Sequence, residues 1–190
     1  MKRIIYMVFM NLFHAPVWLF TIARMGRPED GRTIKECYDY IARMTRRIIK
    51  RGRVTVTATG VEHIPDQDGF MLFPNHQGLF DMLALFSTCP RPLSAVIKKE
   101  ASGWILVKQV IGATGSLAMD RSDIKDQVRI IGEVTKRVRE GSNFVIFAEG
   151  HRSRKGNEIL DFKSGTFKSA LKAGCPIVPV ALINSFRPFD

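Results

Sequence analysis

Apolar and polar positions divide the chain into a helical amino-terminal stretch and a longer stretch where short apolar runs alternate with amphipathic ones. From Ile4 to Met25 the residues are largely apolar, interrupted by Asn11, His14, Pro16, Thr21 and Arg24. The breaker cluster Met25-Gly26-Arg27-Pro28-Glu29-Asp30-Gly31 ends this first helix. Thr33 is placed to cap a second helix reaching about Arg51, in which Ile34, Tyr38, Ile41, Thr45 and Ile48 recur at helical spacing.

From residue 53 the pattern changes. Val54–Ala58 alternates at strand period, and apolar runs follow at Phe70–Phe73, Leu93–Ile97, Ser116–Met119, Phe144–Phe147 and Ile177–Leu182. Between them lie helical stretches: Leu79–Ser87, a segment around Ser102–Val110, Asp123–Glu140 after a Ser122 cap, and Thr166–Ala173 closed by Gly174. Strands alternating with helices predict an α/β layered sheet, whose ligand sites lie where strands end and helices begin. The expected organisation is a two-helix segment over residues 1–52 and a catalytic domain over residues 53–190.

Composition narrows the class. A hydrophobic share of 45% with 25% charged residues describes a folded globular chain. The net charge of +11, from 29 Lys and Arg against 18 Asp and Glu, calls for a polyanionic partner: nucleic acid, an anionic membrane or a phosphorylated substrate. A nucleic-acid binder would interleave its basic residues with exposed aromatics. Here the phenylalanines sit mainly in buried-looking runs, and the densest basic segment adjoins the apolar leader, so no nucleic acid is expected. The three cysteines, Cys37, Cys89 and Cys175, have neither pairing nor metal-ligand spacing and read as reduced, buried thiols of a cytosol-facing protein.

The leader is near the ~20 apolar residues a bilayer crossing needs. It lacks the small-residue cleavage site of a signal peptide. A spanning helix flanked by Lys2-Arg3 and Arg24–Arg27 is one reading; an immersed, non-spanning helix suits the polar interruptions better. The second helix carries Lys35, Arg43, Arg46, Arg47, Lys50 and Arg51. These form either a solvated face over a core or, as the apolar neighbour favours, a surface lying on anionic headgroups. Together the two helices make a membrane-docking hairpin on the cytoplasmic face, monotopic or single-pass.

Candidate chemistry clusters after the apolar runs. Phe70-Met71-Leu72-Phe73 leads into Pro74-Asn75-His76-Gln77-Gly78, with Asp81 in the first turn of the following helix. That spacing lets the carboxylate fold back to the imidazole Nδ1–H and orient it, as in a catalytic triad. The protein nucleophile is missing: no GxSxG elbow occurs and Cys89 is not placed as a reactive thiol. Such a dyad works if the acceptor's own hydroxyl attacks an acyl group already activated as a thioester. Glu149-Gly150-His151-Arg152-Ser153 follows another apolar run, and its arginine suits phosphate. Asp120-Arg121 ends a third.

These blocks resemble those of the glycerolipid acyltransferase family, in particular the bacterial enzymes that acylate lysophosphatidate (1-acylglycerol-3-phosphate). Asn75-His76-Gln77-Gly78-Leu79-Phe80-Asp81 matches the family's NHxxxxD. Lys98-Lys99-Glu100 leading to Asp120-Arg121, then Phe147–Ser153, then Ile177-Val178-Pro179-Val180-Ala181 match three further blocks. The resemblance spans about residues 53–190. It implies a mixed sheet flanked by helices, His76 as general base and Asp81 as its partner. It further implies Lys99 and Arg121 at the acceptor phosphate, and Glu149, Gly150 and Arg152 positioning glycerol phosphate. Pro179 and its neighbours would shape the acyl or acceptor wall. Lysophosphatidate would be the acceptor, glycerol 3-phosphate or another lipid alcohol the alternative. Acyl-carrier protein or coenzyme A would carry the acyl thioester as co-substrate, with no cofactor and no metal. Ala148 and His151 stand where the family usually has Pro and Thr, which bears on the acceptor. The chain stops just after the fourth block, as a short member or a truncated chain would.

Overall fold

The structure, a computed structural model, describes residues 2–189, without the side chains of Lys2, Arg3 and Pro28. The expectation that Lys2 and Arg3 flank the apolar leader therefore falls outside the described side chains. The leader itself folds as two helices, α1 (Lys2–Asn11) and α2 (Ala15–Met25), bent by 81°. The break has a local cause. The Asn11 side-chain Nδ2 donates to the Met7 carbonyl at 2.7 Å, and Pro16 then sits in the first turn of α2, where its missing N–H is harmless but a continuous helix is not allowed. No single described helix is long and apolar enough to cross a membrane, whereas the bent pair together meets the length and composition.

Thr33 caps α3 (Ile34–Arg51) through a full capping box: its hydroxyl accepts from the Glu36 amide while the Glu36 carboxylate accepts from the Thr33 amide. The apolar face of α3 is consumed by the core. Cys37, Tyr38, Ile41, Met44 and Ile49 are buried, and the Tyr38 hydroxyl donates to the Cys89 carbonyl at 3.1 Å. α3 turns most of its basic residues outward while most of its apolar residues pack into the core, so the exposed apolar surface of the amino-terminal segment lies mainly on α1 and α2. The described residues of this segment hold three α-helices rather than two, and they share one core with the sheet, since Trp18, Ile22 and Tyr38 pack with Phe70, Leu72 and Val145.

After α3 the order is β1 (Met71–Pro74), α4 (Asp81–Thr88), β2 (Ser94–Lys98), α5 (Ile105–Thr114), β3 (Leu117–Met119), α6 (Ile124–Arg139), β4 (Phe144–Val145), α7 (Lys168–Ala173) and β5 (Ile177–Val180). The strands form one sheet, β3-β2-β4-β1-β5, and every described pairing is parallel. The α/β fold stands as expected, but the expected mixed sheet is parallel throughout the described residues. Each strand returns through a helix, which brings successive strands in the same direction. The alternation at Val54–Ala58 forms no strand. Val54 and Val56 lie against Met7, Ile49 and Phe80, so the period of two reflects burial on one side without a neighbouring strand.

Helices cover both faces. Along β1, Phe70 and Leu72 face the α2–α5 side while Met71 and Phe73 face α6 and α7, so the strand is buried on both faces. The α2–α5 contact is close because of glycine. A Cβ on Gly26 would come within 3.1 Å of the Gly112–Ala113 backbone, so a side chain there would force the helices apart. β5 has no outer neighbour among the described residues. The Met71 amide donates to the Pro176 carbonyl at 3.0 Å, and alternation along the strand then turns the Pro179 nitrogen to that open edge.

Candidate active site

Because the strands run parallel, their carboxyl ends share one crest. β1 delivers Asn75 and His76 there, β2 Lys98 and Lys99, β3 Asp120 and Arg121, and β4 the segment 146–153. The ladder between β1 and the β4 extension continues past the assigned strand, with the Ile146 amide bonded to Leu72 and the Ala148 amide to Pro74, each at 3.0 Å. It carries Phe147 and Glu149 up beside His76.

The dyad is formed. His76 Nδ1 lies 2.6 Å from Asp81 Oδ2. Asp81 is fully buried and also accepts from the Gln77 amide at 2.8 Å, the Gly78 amide at 3.1 Å and the Ser185 hydroxyl at 2.6 Å. A carboxylate surrounded by donors can only accept, so the Nδ1 proton points to Asp81 and the Nε2 lone pair remains for a substrate proton. The Gln77 and Gly78 amides are committed to Asp81, which removes them as oxyanion donors. The imidazole is partly open, and the Phe147 ring stacks on it at 3.9 Å between centroids and 19° between planes.

The third block clamps the histidine backbone. The His76 amide donates to Glu149 Oε1 at 2.9 Å, and the Ser153 amide donates to the His76 carbonyl at the same distance. Glu149 is wholly enclosed, its Oε2 without a partner. The resemblance implied that Glu149 positions glycerol phosphate; in this structure its side chain is covered and its Oε1 holds the His76 amide. Gly150 adopts a left-handed φ of 75°, which explains the glycine, and its carbonyl accepts from the Arg121 guanidinium.

The cationic side is loosely held. Arg152 is half-buried and makes no side-chain hydrogen bond or ion pair among the described residues. Lys99 is drawn away to Asp120 at 3.1 Å. Asp120 is held down at about 2 by the Ser122 hydroxyl and amide and by Lys99. Lys99 is thus farther from a free cation than Arg121 or Arg152. Beside the crest a cavity of about 370 Å³ opens between the sheet and α6. Val96, Met119, Ile130, Val134, Ile146 and Phe147 make its apolar wall, and the exposed Arg121, His151, Lys163 and Lys168 also line it. Phe147 therefore has the His76 imidazole on one side and the cavity on the other. Pro179 does not line this cavity; it sits on the exposed edge strand.

The described residues place no activated thiol at the crest. Burial pushes the Cys37, Cys89 and Cys175 thiols up from their ordinary value, keeping them protonated. Sequence reasoning did not single out Phe147 as a contact of His76, nor Gln77, Asn157 and Ser185. Phe147 stood inside a recognised block, whereas nothing in the spacing marked Ser185.

Comparison with known proteins gives concordant results. The acyltransferase family profile matches residues 55–183. A 1-acyl-sn-glycerol-3-phosphate acyltransferase of Borreliella burgdorferi is 31% identical over 132 residues, 70% of this chain and 52% of that protein. Its namesake in Helicobacter pylori is 30% identical over 138 residues, 72% of this chain and 58% of that protein. The chain thus spans about half the length of the curated relatives it matches. The crystal structure of the 1-acyl-sn-glycerophosphate acyltransferase from Thermotoga maritima has the same fold. It aligns with a TM-score of 0.73 over 94% of this chain and 74% of that one, at 22% identity.

Proposed function

The chain belongs to the acyltransferase family, and from that premise we propose that it transfers a fatty acyl group from a thioester to the sn-2 hydroxyl of lysophosphatidate, giving phosphatidate. His76 Nε2 takes the hydroxyl proton as the oxygen attacks the thioester carbonyl. The C–O bond forms, the C–S bond breaks, and the proton passes from the imidazolium to the departing thiolate. General-base assistance contributes about 10²–10⁴-fold, so positioning supplies much of the remainder. The observation that carries the reading is the 2.6 Å His76–Asp81 contact on a crest with no activated protein nucleophile among the described residues.

Arg121 and Arg152 bind the acceptor phosphate, the unpaired Arg152 making the stronger contact. The apolar cavity beside Phe147 receives an acyl chain, leaving its head near His76. Acyl-carrier protein or coenzyme A supplies the thioester. The outward side of α1, α2 and the turn between them, where Phe13 is 89% and Phe20 72% exposed, rests in the cytoplasmic face of an anionic membrane and brings the lipid acceptor to the crest.

One incubation series tests the reading. Lysophosphatidate or glycerol 3-phosphate is combined with acyl-carrier-protein or coenzyme A thioesters, and products are identified by mass spectrometry. Phosphatidate forms with the native chain and not with His76→Ala. Absence of product from every pairing, with the protein folded on vesicles, would refute the reading.

A further inference from the structure

After β5 the chain does not leave the crest. Leu182 is clamped by the Asn75 side chain, which accepts from the Leu182 amide at 2.6 Å and donates to its carbonyl at 3.1 Å. Asn157 then bridges the turn and the tail: its Oδ1 accepts from Gln77 Nε2 at 2.9 Å and from the Asn184 amide at 2.8 Å. The Gln77 side-chain oxygen Oε1 accepts from the Ser185 amide at 2.9 Å. Gly78 suits this approach, since a Cβ there would stand a tight 3.3 Å from the Phe186 Cα.

The outcome is a serine brought 104 positions along the chain to Asp81, buried, with its hydroxyl 2.6 Å from Oδ1. That hydroxyl also lies 2.9 Å from the Gln77 oxygen. A hydroxyl has one proton, and the shorter contact to the charged oxygen takes it. We propose that Ser185 is a positioning residue of the acyl transfer, acting through Asp81 to fix the carboxylate plane in which His76 Nδ1–H is held. Without it, Oδ1 keeps only the Gly78 amide at 3.2 Å, and the plane of the buried carboxylate is set by the contacts to Oδ2 alone. This rests on the acyltransferase reading of the dyad.

In Ser185→Ala, kcat falls about 10- to 100-fold, the kinetic equivalent of one hydrogen bond to a charged group, with KM for acceptor and donor within about twofold. Ser185→Thr, which keeps the hydroxyl, retains most of the activity. In an Asp81→Asn background the alanine change causes no further loss. An unchanged kcat, or an equal loss in both backgrounds, would overturn the proposal. If Ser185→Ala does not fold, Ser185→Cys, of similar shape and weak as a donor, is read against the same outcomes. Should the native chain turn over no acyl acceptor, the acyltransferase reading fails separately. The proposal then stands or falls on the low-field Nδ1 proton of His76, which shifts in Ser185→Ala and disappears in His76→Ala; an unmoved resonance overturns it.

Discussion

On one side of the crest the four donors that meet Asp81 come from His76, Gln77, Gly78 and Ser185, and the His76 backbone is bonded at both its amide and its carbonyl. On the other side Arg152 has no protein partner among the described residues, and Arg121 reaches only a backbone carbonyl. The contrast follows from what each side handles. A general base gains from arriving already oriented, because geometry lost there is lost from the transition state. An anion site gains from staying unsatisfied, because a guanidinium already paired with a carboxylate has less to offer a phosphate.

The contrast is broken or sharpened by a graded series of changes. His76→Ala lowers kcat by about 10²–10⁴-fold with little change in acceptor KM, measured by steady-state acyl transfer. A comparable rise in KM would mean that the dyad side binds as well as reacts. Arg152→Ala raises acceptor KM about 10- to 100-fold with kcat within a few-fold, as the loss of one charge-assisted contact predicts. A collapse of kcat instead would erase the division between the two sides. Val134→Phe fills part of the apolar cavity and moves the preferred acyl chain shorter by a few carbons, each methylene being worth about 0.8 kcal/mol of burial; a competition assay over chain lengths reads it. Lys99→Ala has the smallest effect, within about threefold on acceptor KM, because Lys99 already pairs with Asp120 at the surface.

Asp120 offers a check by pH. Its carboxyl is held down at about 2, first by the Ser122 hydroxyl, then by the Ser122 amide and Lys99. A depressed carboxylate contributes its stabilisation above the ordinary carboxylate range and loses it as pH falls through the lowered value. The Asp120 side-chain carbon therefore titrates near pH 2 by NMR, and titration close to 4 would show that the cluster is open in solution.

What the sequence discloses about this site is mostly local. Asp81 stands five positions after His76 across a strand-to-helix turn, and Thr33 stands three before Glu36; both contacts form within one turn and are readable from spacing. The crest is readable too, because polar residues follow three apolar runs and a parallel sheet aligns such ends. Glu149 is different: its carboxylate looks like a ligand group in the sequence, and only the fold shows it enclosed beneath His76. The alternation at Val54–Ala58 misleads because a period of two records a buried side, not a neighbour to pair with. The apolar count from Ile4 to Met25 misleads similarly, since Asn11 and Pro16 decide continuity without altering the count much. Ser185 is the extreme case. Its partner is 104 residues away, and no local rule links a serine after the last strand to an aspartate after the first.

Pro179 on the open side of β5 has a consequence for how this protein meets other chains. A bare strand invites a second copy to zip onto it through successive amides. The outward positions of β5 are Ile177 and Pro179, with Ala181 just past the strand end, and proline removes the middle amide of the three. A strand adding there would face a gap in the middle of its ladder. Among the described residues this edge of the sheet is thereby blunted by one covalent ring, independently of charge or salt.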